Sequence, residues 1–176
     1  MAGHSKWAQI KRQKGTEDAR RSKLFSKLSR LISAESKRVG GKTDSPSLRT
    51  IIETAKKENM PKDTIERAVK KGVSGESGEM SIVLYEAYGP GGTAILIECL
   101  TDNKNRTSQE IRHILGEYGG SLAGSGAAIW AFVKKDGAWE PSSTVEPKEN
   151  DAVSLAGLVD KMESNDDVQA IYTNAI

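Results

Sequence analysis

The sequence predicts an α+β protein: an N-terminal basic three-helix bundle followed by an α/β sandwich with a mainly antiparallel or mixed sheet. Apolar residues recur with a helical period up to Gly72, whereas β-branched and aromatic residues dominate short segments after residue 80. The charge changes sign at the same place. The stretch up to Gly72 has 19 Lys plus Arg and 8 Asp plus Glu, and the remainder has 7 and 16. Such asymmetry indicates a polyanionic partner for the basic part.

The basic part contains start and stop signals for three helices. Ser45 and Pro46 suit the N-cap and first position of the second helix, and Gly72 suits the end of the third. At 100° per residue, the first helix has one apolar sector and a separate sector of Lys and Arg. The expected helices cover residues 17–38, 46–58 and 61–71.

The second part alternates strands and helices. The segment VSGESGE has no apolar anchor, so the domain boundary is placed within it, giving domains 1–75 and 76–176. Thr107 and Glu110 fit a capping box at the start of a helix. Strands are predicted over 81–88, 93–101, 127–134 and 168–173, and a last helix over 151–163.

Several classes of protein are excluded or disfavoured by composition. One Cys allows no intrachain disulfide, and two His with that Cys cannot form a usual zinc site. No apolar run approaches the roughly 20 residues of a membrane span, and no secretory signal is visible. Residues for proton transfer are scarce. We therefore expect a bacterial cytoplasmic protein that is not an enzyme and has no metal, cofactor or membrane partner.

A few residues have two interpretations. The loop YGPGG at 88–92 suits a hairpin turn, and only weakly a phosphate-binding loop or a small-ligand site, because the Lys-Ser/Thr ending of a P-loop is missing. Asp166 and Asp167 suit turn or capping roles, with a cation site as the alternative. His113 is expected on a helix surface, and Cys99 is expected to be buried in a strand.

Polycation chemistry is the strongest functional signal. Nine Lys or Arg and two acids lie between Lys6 and Arg30, first in a tail and then along one helix face, so several phosphates could be neutralised together. Trp7 either stacks on an unpaired base or packs the tail against the bundle. No helix-turn-helix spacing, RNP aromatic pair or zinc finger is present, so base-specific readout is not expected.

Blocks of sequence across the chain resemble the YebC/PmpR family, whose mitochondrial relatives activate translation of cytochrome oxidase. The blocks are MAGHSKW, KRQKG, LFSKL, ENMPKDTIERAVKKG, YGPGG, CLTDNKNRT and DDVQAIYTN. Typical members have three domains. Here the inserted third domain is reduced to a short stretch around 136–150, so this chain resembles a shortened member.

The resemblance implies a role in gene expression. Family members are described as ribosome-associated translation factors that relieve stalling and as DNA-binding transcriptional regulators. Ribosomal RNA is therefore the first expected partner and duplex DNA the alternative; oligomeric state is not predicted. Asn105 and Arg106 match a block that could hold a loop or a partner. The expected nucleic-acid-binding residues are Gly3, His4, Ser5, Lys6, Trp7, Lys11, Arg12, Lys14, Arg20, Lys23, Lys27 and Arg30.

Overall fold

The computed structural model describes Trp7, Ile10 and residues 17–176, which fall into two compact units. The first is helical and ends at Ser81. The second runs from Ile82 to Ile176 and includes Trp7 and Ile10. The helices are α1 (Glu17–Val39), α2 (Pro46–Lys57), α3 (Lys62–Val73), α4 (Lys104–Glu117) and α5 (Glu149–Glu163). The strands are β1 (Ser81–Tyr88), β2 (Ala94–Thr101), β3 (Ser121–Ala123), β4 (Phe132–Lys135), β5 (Ala138–Pro141) and β6 (Val168–Thr173).

The helical unit is held by one apolar cluster contributed by all three helices. Leu28 and Ile32 of α1 are buried in it, with Leu48 of α2 and Ile65 of α3. These residues are the predicted apolar stripes, and the three helices begin and end within two residues of the predicted bounds. Helical periodicity alone was sufficient to predict these helices and their buried faces, because each helix has one apolar stripe and all three stripes face the same core.

The second unit is built on a four-stranded sheet with the order β3-β1-β2-β6. β1 pairs antiparallel with β3, and β2 pairs antiparallel with β6. A separate two-stranded antiparallel sheet is formed by β4 and β5. Its tight turn places Asp136 at φ 48° and Gly137 at φ 86°, the left-handed conformations that a two-residue hairpin turn requires.

Both faces of the main sheet are covered, because side chains of β2 alternate between two clusters. Ile95 and Ile97 pack with α4 and α5 on one face. Leu96 packs on the other face with Phe132 and Trp139, which belong to the β4–β5 hairpin. The α+β class with a mainly antiparallel sheet is therefore confirmed, with the hairpin covering the face that lacks helices.

Three local predictions were wrong. The segment predicted as one strand over 127–134 forms a 3₁₀ turn at Ile129–Ala131 and then β4, and β3 and β5 were not predicted. Thr107 does not cap α4: the helix begins earlier, with Asn103 accepting a hydrogen bond from the Arg106 N–H at 3.0 Å. Strands of three or four residues give too few alternations to be seen in sequence.

The helical unit extends to Ser81, beyond the boundary predicted at residue 75. The reason is local: Lys37 Nζ donates to the Ser77 carbonyl at 2.7 Å, and the Ser77 hydroxyl donates to the Lys71 carbonyl at 3.4 Å. Residues expected to form a linker are thus attached to α1 and α3. Within the described part of the chain, no helix is both long and apolar enough to cross a membrane.

Candidate nucleic-acid interface

The cationic face of α1 is a consequence of its packing. Leu28, Ile32 and Ser36 are buried on one side of the helix, so residues rotated away from that side are accessible. Ten residues of helix rise separate Arg20 from Arg30, a span of about 15 Å. We call the cations of this span that lie on the side of the helix away from Leu28 the α1 row; they are Arg20, Lys23, Lys27 and Arg30.

The four side chains of the α1 row differ in exposure. Arg20 and Lys23 are exposed, and in the described part of the chain no ion pair involves either of them. Lys27 and Arg30 are half-buried. The first two therefore present positive charge that an external anion could neutralise without first displacing a carboxylate of a described residue.

Three carboxylates of the helical unit, those of Glu35, Glu53 and Glu66, pair with cations outside the α1 row. Glu35 binds Arg38 one turn away on α1, and this hydrogen bond lowers the pKa of Glu35 and raises that of Arg38. Arg49 pairs with Glu53 on α2 at 3.3 Å. Pairs between exposed neighbours on one helix contribute little to stability, because water and salt screen them.

Most of the expected N-terminal site lies outside the described residues. This applies to Gly3, His4, Ser5, Lys6, Lys11, Arg12 and Lys14. Trp7 is described. It is only 5% exposed and belongs to the apolar core of the second unit, together with Ala87, Ile97 and Leu158. Its indole is therefore buried and not open for base stacking, and the core that it joins is that of the second unit, where the sequence had predicted packing on the helical bundle.

Sequence reasoning missed two cations on α3. Arg67 and Lys71 are exposed and, with Arg30 of the α1 row, line one groove of the helical unit. Their spacing of four residues places them on one face of α3, which was the available signal.

Asn105 and Arg106 are on the first turn of α4 and not in a loop. Arg106 binds Asp102 at 2.8 Å and Asp167 at 2.9 Å, and the hydrogen bond to Asp167 is the main cause of its raised pKa. Asp167 is buried and also accepts from the Thr107 hydroxyl at 2.7 Å. Arg106 therefore ties the turn before β6 to α4, whereas the Asn105 side chain is exposed.

A second buried carboxylate organises the loop before β4. Glu86 of β1 is 7% exposed and accepts hydrogen bonds from the backbone N–H groups of Gly126, Ala128 and Ile129 at 2.7–2.8 Å. Burial by itself raises the pKa of Glu86, but the three N–H donors outweigh it, so the net pKa is lowered. The negative charge of Glu86 is thus stabilised by hydrogen bonds inside the α/β unit.

The remaining candidates have structural surroundings. Cys99 is buried, as predicted, and His113 is on the exposed surface of α4 near Glu117. The YGPGG segment makes a tight connection between β1 and β2, closed by the Gly89 N–H donating to Thr93 O at 2.8 Å. Among the described residues, no group of three or more His, Cys, Asp or Glu is arranged to hold a metal ion.

The fold and the cationic row define a two-unit α+β protein with a basic helical unit and an acidic α/β unit. Comparison with known proteins gives the same division. A family model described as "TACO1/YebC protein N-terminal domain" matches residues 5–75, and one described as "TACO1/YebC second and third domain" matches residues 80–138. The chain belongs to the TACO1/YebC family.

Relatives and a solved structure extend this result over almost the whole chain. A "Probable transcriptional regulatory protein" of Petrotoga mobilis is 48% identical over 177 residues, covering 97% of this chain and 70% of that protein. Another, of Fervidobacterium nodosum, is 37% identical over 235 residues, covering 99% and 93%. A conserved hypothetical protein of Aquifex aeolicus, Aq1575, superimposes with a TM-score of 0.80 at 33% identity, covering 98% and 97%.

The alignment with the Fervidobacterium protein has more positions than this chain has residues. That relative therefore contains residues that this chain lacks. As predicted, this chain is shorter than that relative. The N-terminal family model, which covers residues 5–75, includes all three helices of the helical unit.

Proposed function

We propose that this chain is a non-enzymatic regulator of gene expression that binds nucleic acid through its helical unit, with ribosomal RNA as the polymer bound. The observation that carries the proposal is the α1 row. Its first two members, Arg20 and Lys23, are exposed and belong to no ion pair of the described residues. The basic tail from Lys6 to Lys14 adds further cations next to it in sequence.

The expected binding mode is contact with phosphates. Lys and Arg spaced along 15 Å or so of helix can neutralise several phosphates of one backbone, each releasing condensed counterion. If about six phosphates are contacted in total, the logarithm of the binding constant falls with the logarithm of salt concentration at a slope near −5.

Duplex DNA is the second candidate, and the names of the relatives favour it. The proteins of Petrotoga mobilis and Fervidobacterium nodosum are both called probable transcriptional regulatory proteins. We rank RNA first because the sequence shows no helix-turn-helix spacing or other motif that would place a recognition helix in the major groove of duplex DNA. Backbone contact without base readout suits a structured RNA partner.

The test is cosedimentation with ribosomes at low and moderate salt, beside a duplex-DNA gel shift with random competitor. We expect the wild-type chain to sediment with ribosomes and the variant Arg20→Glu/Lys23→Glu to bind at least about tenfold more weakly. A matched control, Lys104→Glu/Arg112→Glu, makes the same change of net charge on exposed positions of α4 and should retain binding.

Three results decide the proposal. Equal binding by the α1 variant and the wild type contradicts it, because the row would then be an ordinary solvated face. Equal losses in the α1 variant and the α4 control also contradict it, since net charge and not the row would govern binding. Absence of ribosome binding with a DNA preference that survives competitor reverses the order of the two partners.

A further inference from the structure

The helical unit contains an open groove of about 460 Å³ between α1 and α3. Ser33 and Ala34 of α1 and Ala68 of α3 contribute small side chains to its lining. Residues 76–78 and Met80 form another edge. A volume of this size accommodates a nucleotide unit, since ligand sites for small molecules commonly measure about 300–1,000 Å³.

The groove is built into the helix packing. The Ser33 hydroxyl donates to the Ala68 carbonyl at 2.9 Å, and the Ser36 hydroxyl donates to the Val69 carbonyl at 2.8 Å. Next to them the helices are in direct contact, because a Cβ on Gly72 would lie 2.4 Å from the Ser33 carbonyl oxygen. The two walls therefore have a fixed separation on one side of the groove.

The charge of the lining is strongly positive. Three cations, Arg30, Arg67 and Lys71, face one acid, Glu76. Among the described residues, the Arg67 guanidinium donates only to the Asp63 carbonyl at 3.4 Å and to the Thr64 hydroxyl at 3.3 Å, both long bonds to its own helix. In the described part of the chain neither Arg67 nor Lys71 is in an ion pair, so both have N–H donors for an anion.

The other groups that line the groove indicate which part of a nucleotide it could bind. Hydroxyls of Ser29, Thr64 and Ser77 also line the groove beside the cations. The described lining contains no aromatic ring on which a base could stack. Cations with hydroxyls and without a stacking platform suit a sugar-phosphate unit better than a base.

We propose that this groove is a phosphate-ester site that holds the backbone of the bound nucleic acid, with Arg67 and Lys71 as phosphate ligands. The inference rests on the proposed function and deepens it. Arg30 belongs both to the α1 row and to the groove, so one strand contacting the row can continue into the groove without leaving the cationic surface. The planar guanidinium of Arg67 supplies paired donors to phosphate oxygens, and Lys71 supplies a point charge.

The test compares three full-length variants for binding to a fluorescent single-stranded RNA 12-mer, by anisotropy across a salt series. Arg67→Gln/Lys71→Gln removes the two proposed ligands, and Ala34→Phe fills the groove without changing charge. Lys56→Gln/Lys57→Gln is the control, because these exposed cations occupy the last turn of α2 as Lys71 occupies that of α3.

We expect the Arg67/Lys71 variant to bind at least about tenfold more weakly and its salt slope to fall by about 1.4, because each phosphate contact with a single strand contributes about 0.7 to the slope. Ala34→Phe should also weaken binding, with unchanged circular dichroism. The α2 control should keep its affinity within about twofold. Wild-type affinity and slope in the Arg67/Lys71 variant overturn the inference, as do equal losses in the α2 control.

The source of the phosphate ester is distinguished by competition with AMP. If the backbone of a polymer is the ligand, millimolar AMP leaves the RNA 12-mer bound; displacement of RNA by micromolar AMP overturns the assignment to a polymer. Failure of the proposed function has a different signature, because then Arg20→Glu/Lys23→Glu, which lies outside the groove, also binds RNA like the wild type.

Discussion

The two units use charged residues in opposite ways. In the helical unit, Arg20, Lys23, Arg67 and Lys71 are exposed and outside the ion pairs of the described residues. In the α/β unit, Glu86 and Asp167 are buried and bonded to backbone or side-chain donors of other elements. A buried charge that is fully hydrogen-bonded helps to hold the fold together, whereas an exposed charge without an ion pair can bind a partner. The helical unit therefore differs from the α/β unit in how its charged side chains are used as well as in the sign of its charge.

Replacing Glu86 by Gln should have the largest effect on stability. The amide has one oxygen acceptor where the carboxylate has two, and its NH₂ group would face buried N–H donors. We expect a loss of about 3 kcal/mol in the free energy of unfolding of the α/β unit. All three Trp residues belong to this unit, so urea denaturation followed by Trp fluorescence reports on it.

The pH dependence of stability tests whether the ionised carboxylate of Glu86 is the cause of this loss. Because the pKa of Glu86 is lowered from 4.5 by folding, its stabilisation is complete above pH 4.5 and disappears as pH falls through the folded pKa. The stability difference between the wild type and Glu86→Gln should therefore be constant near neutral pH and narrow in acid. The exposed residue Glu140 provides the control, since Glu140→Gln should change little. A difference that does not depend on pH down to pH 3 contradicts this account.

Replacing Thr107 by Val should have an intermediate effect. The Thr107 hydroxyl is buried and bonds Asp167 at 2.7 Å and Thr101 at 2.7 Å, so its removal should cost about 1–2 kcal/mol by the same fluorescence assay. Thr54→Val in α2 is the counterpart in the helical unit. Thr54 is exposed, and its hydroxyl donates to the Thr50 carbonyl of its own helix at 3.0 Å, the one partner found for it in the described part of the chain. A loss below about 0.5 kcal/mol is therefore expected, measured by circular dichroism. Equal costs would remove the contrast between the units.

Charge reversal on α1 should have the smallest effect on stability. Arg20→Glu/Lys23→Glu changes exposed positions with no described ion pair, so the free energy of unfolding of the helical unit should stay within about 0.5 kcal/mol of wild type. Thermal denaturation followed by circular dichroism measures it. A loss above 2 kcal/mol would mean that these cations support the fold, and any binding defect of the variant would then have another explanation.

Helical elements were predicted well because their signals are local and repeated. Leu28 and Ile32 on α1 and Ile65 on α3 are at the predicted stripe positions and are buried. The β4–β5 hairpin failed as a prediction because its four-residue strands gain their order from Phe132 and Trp139 packing on Leu96, which is distant in sequence. The position of Trp7 failed for the same reason, since nothing near it in the chain specifies the core of the second unit.

The candidate site likewise has one part that the sequence could predict and one part that it could not. The α1 row could be predicted because it is a matter of helical rotation away from an apolar stripe. The groove that adds Arg67 and Lys71 could not, because it depends on which side of α3 meets α1, and that is decided by the close contacts at Ser33, Ser36 and Gly72.

The sequence by itself determined the composition of each unit, the periods of its longer helices and strands, and the separation of positive from negative charge, all of which are written in residues a few positions apart. Only the tertiary structure decided which charged side chains are buried and hydrogen-bonded and which are exposed to solvent. The physical reason is that burial and hydrogen-bond partners come from residues far apart in the chain: Glu86 meets its donors about forty residues later, and Thr107 meets Asp167 sixty residues later.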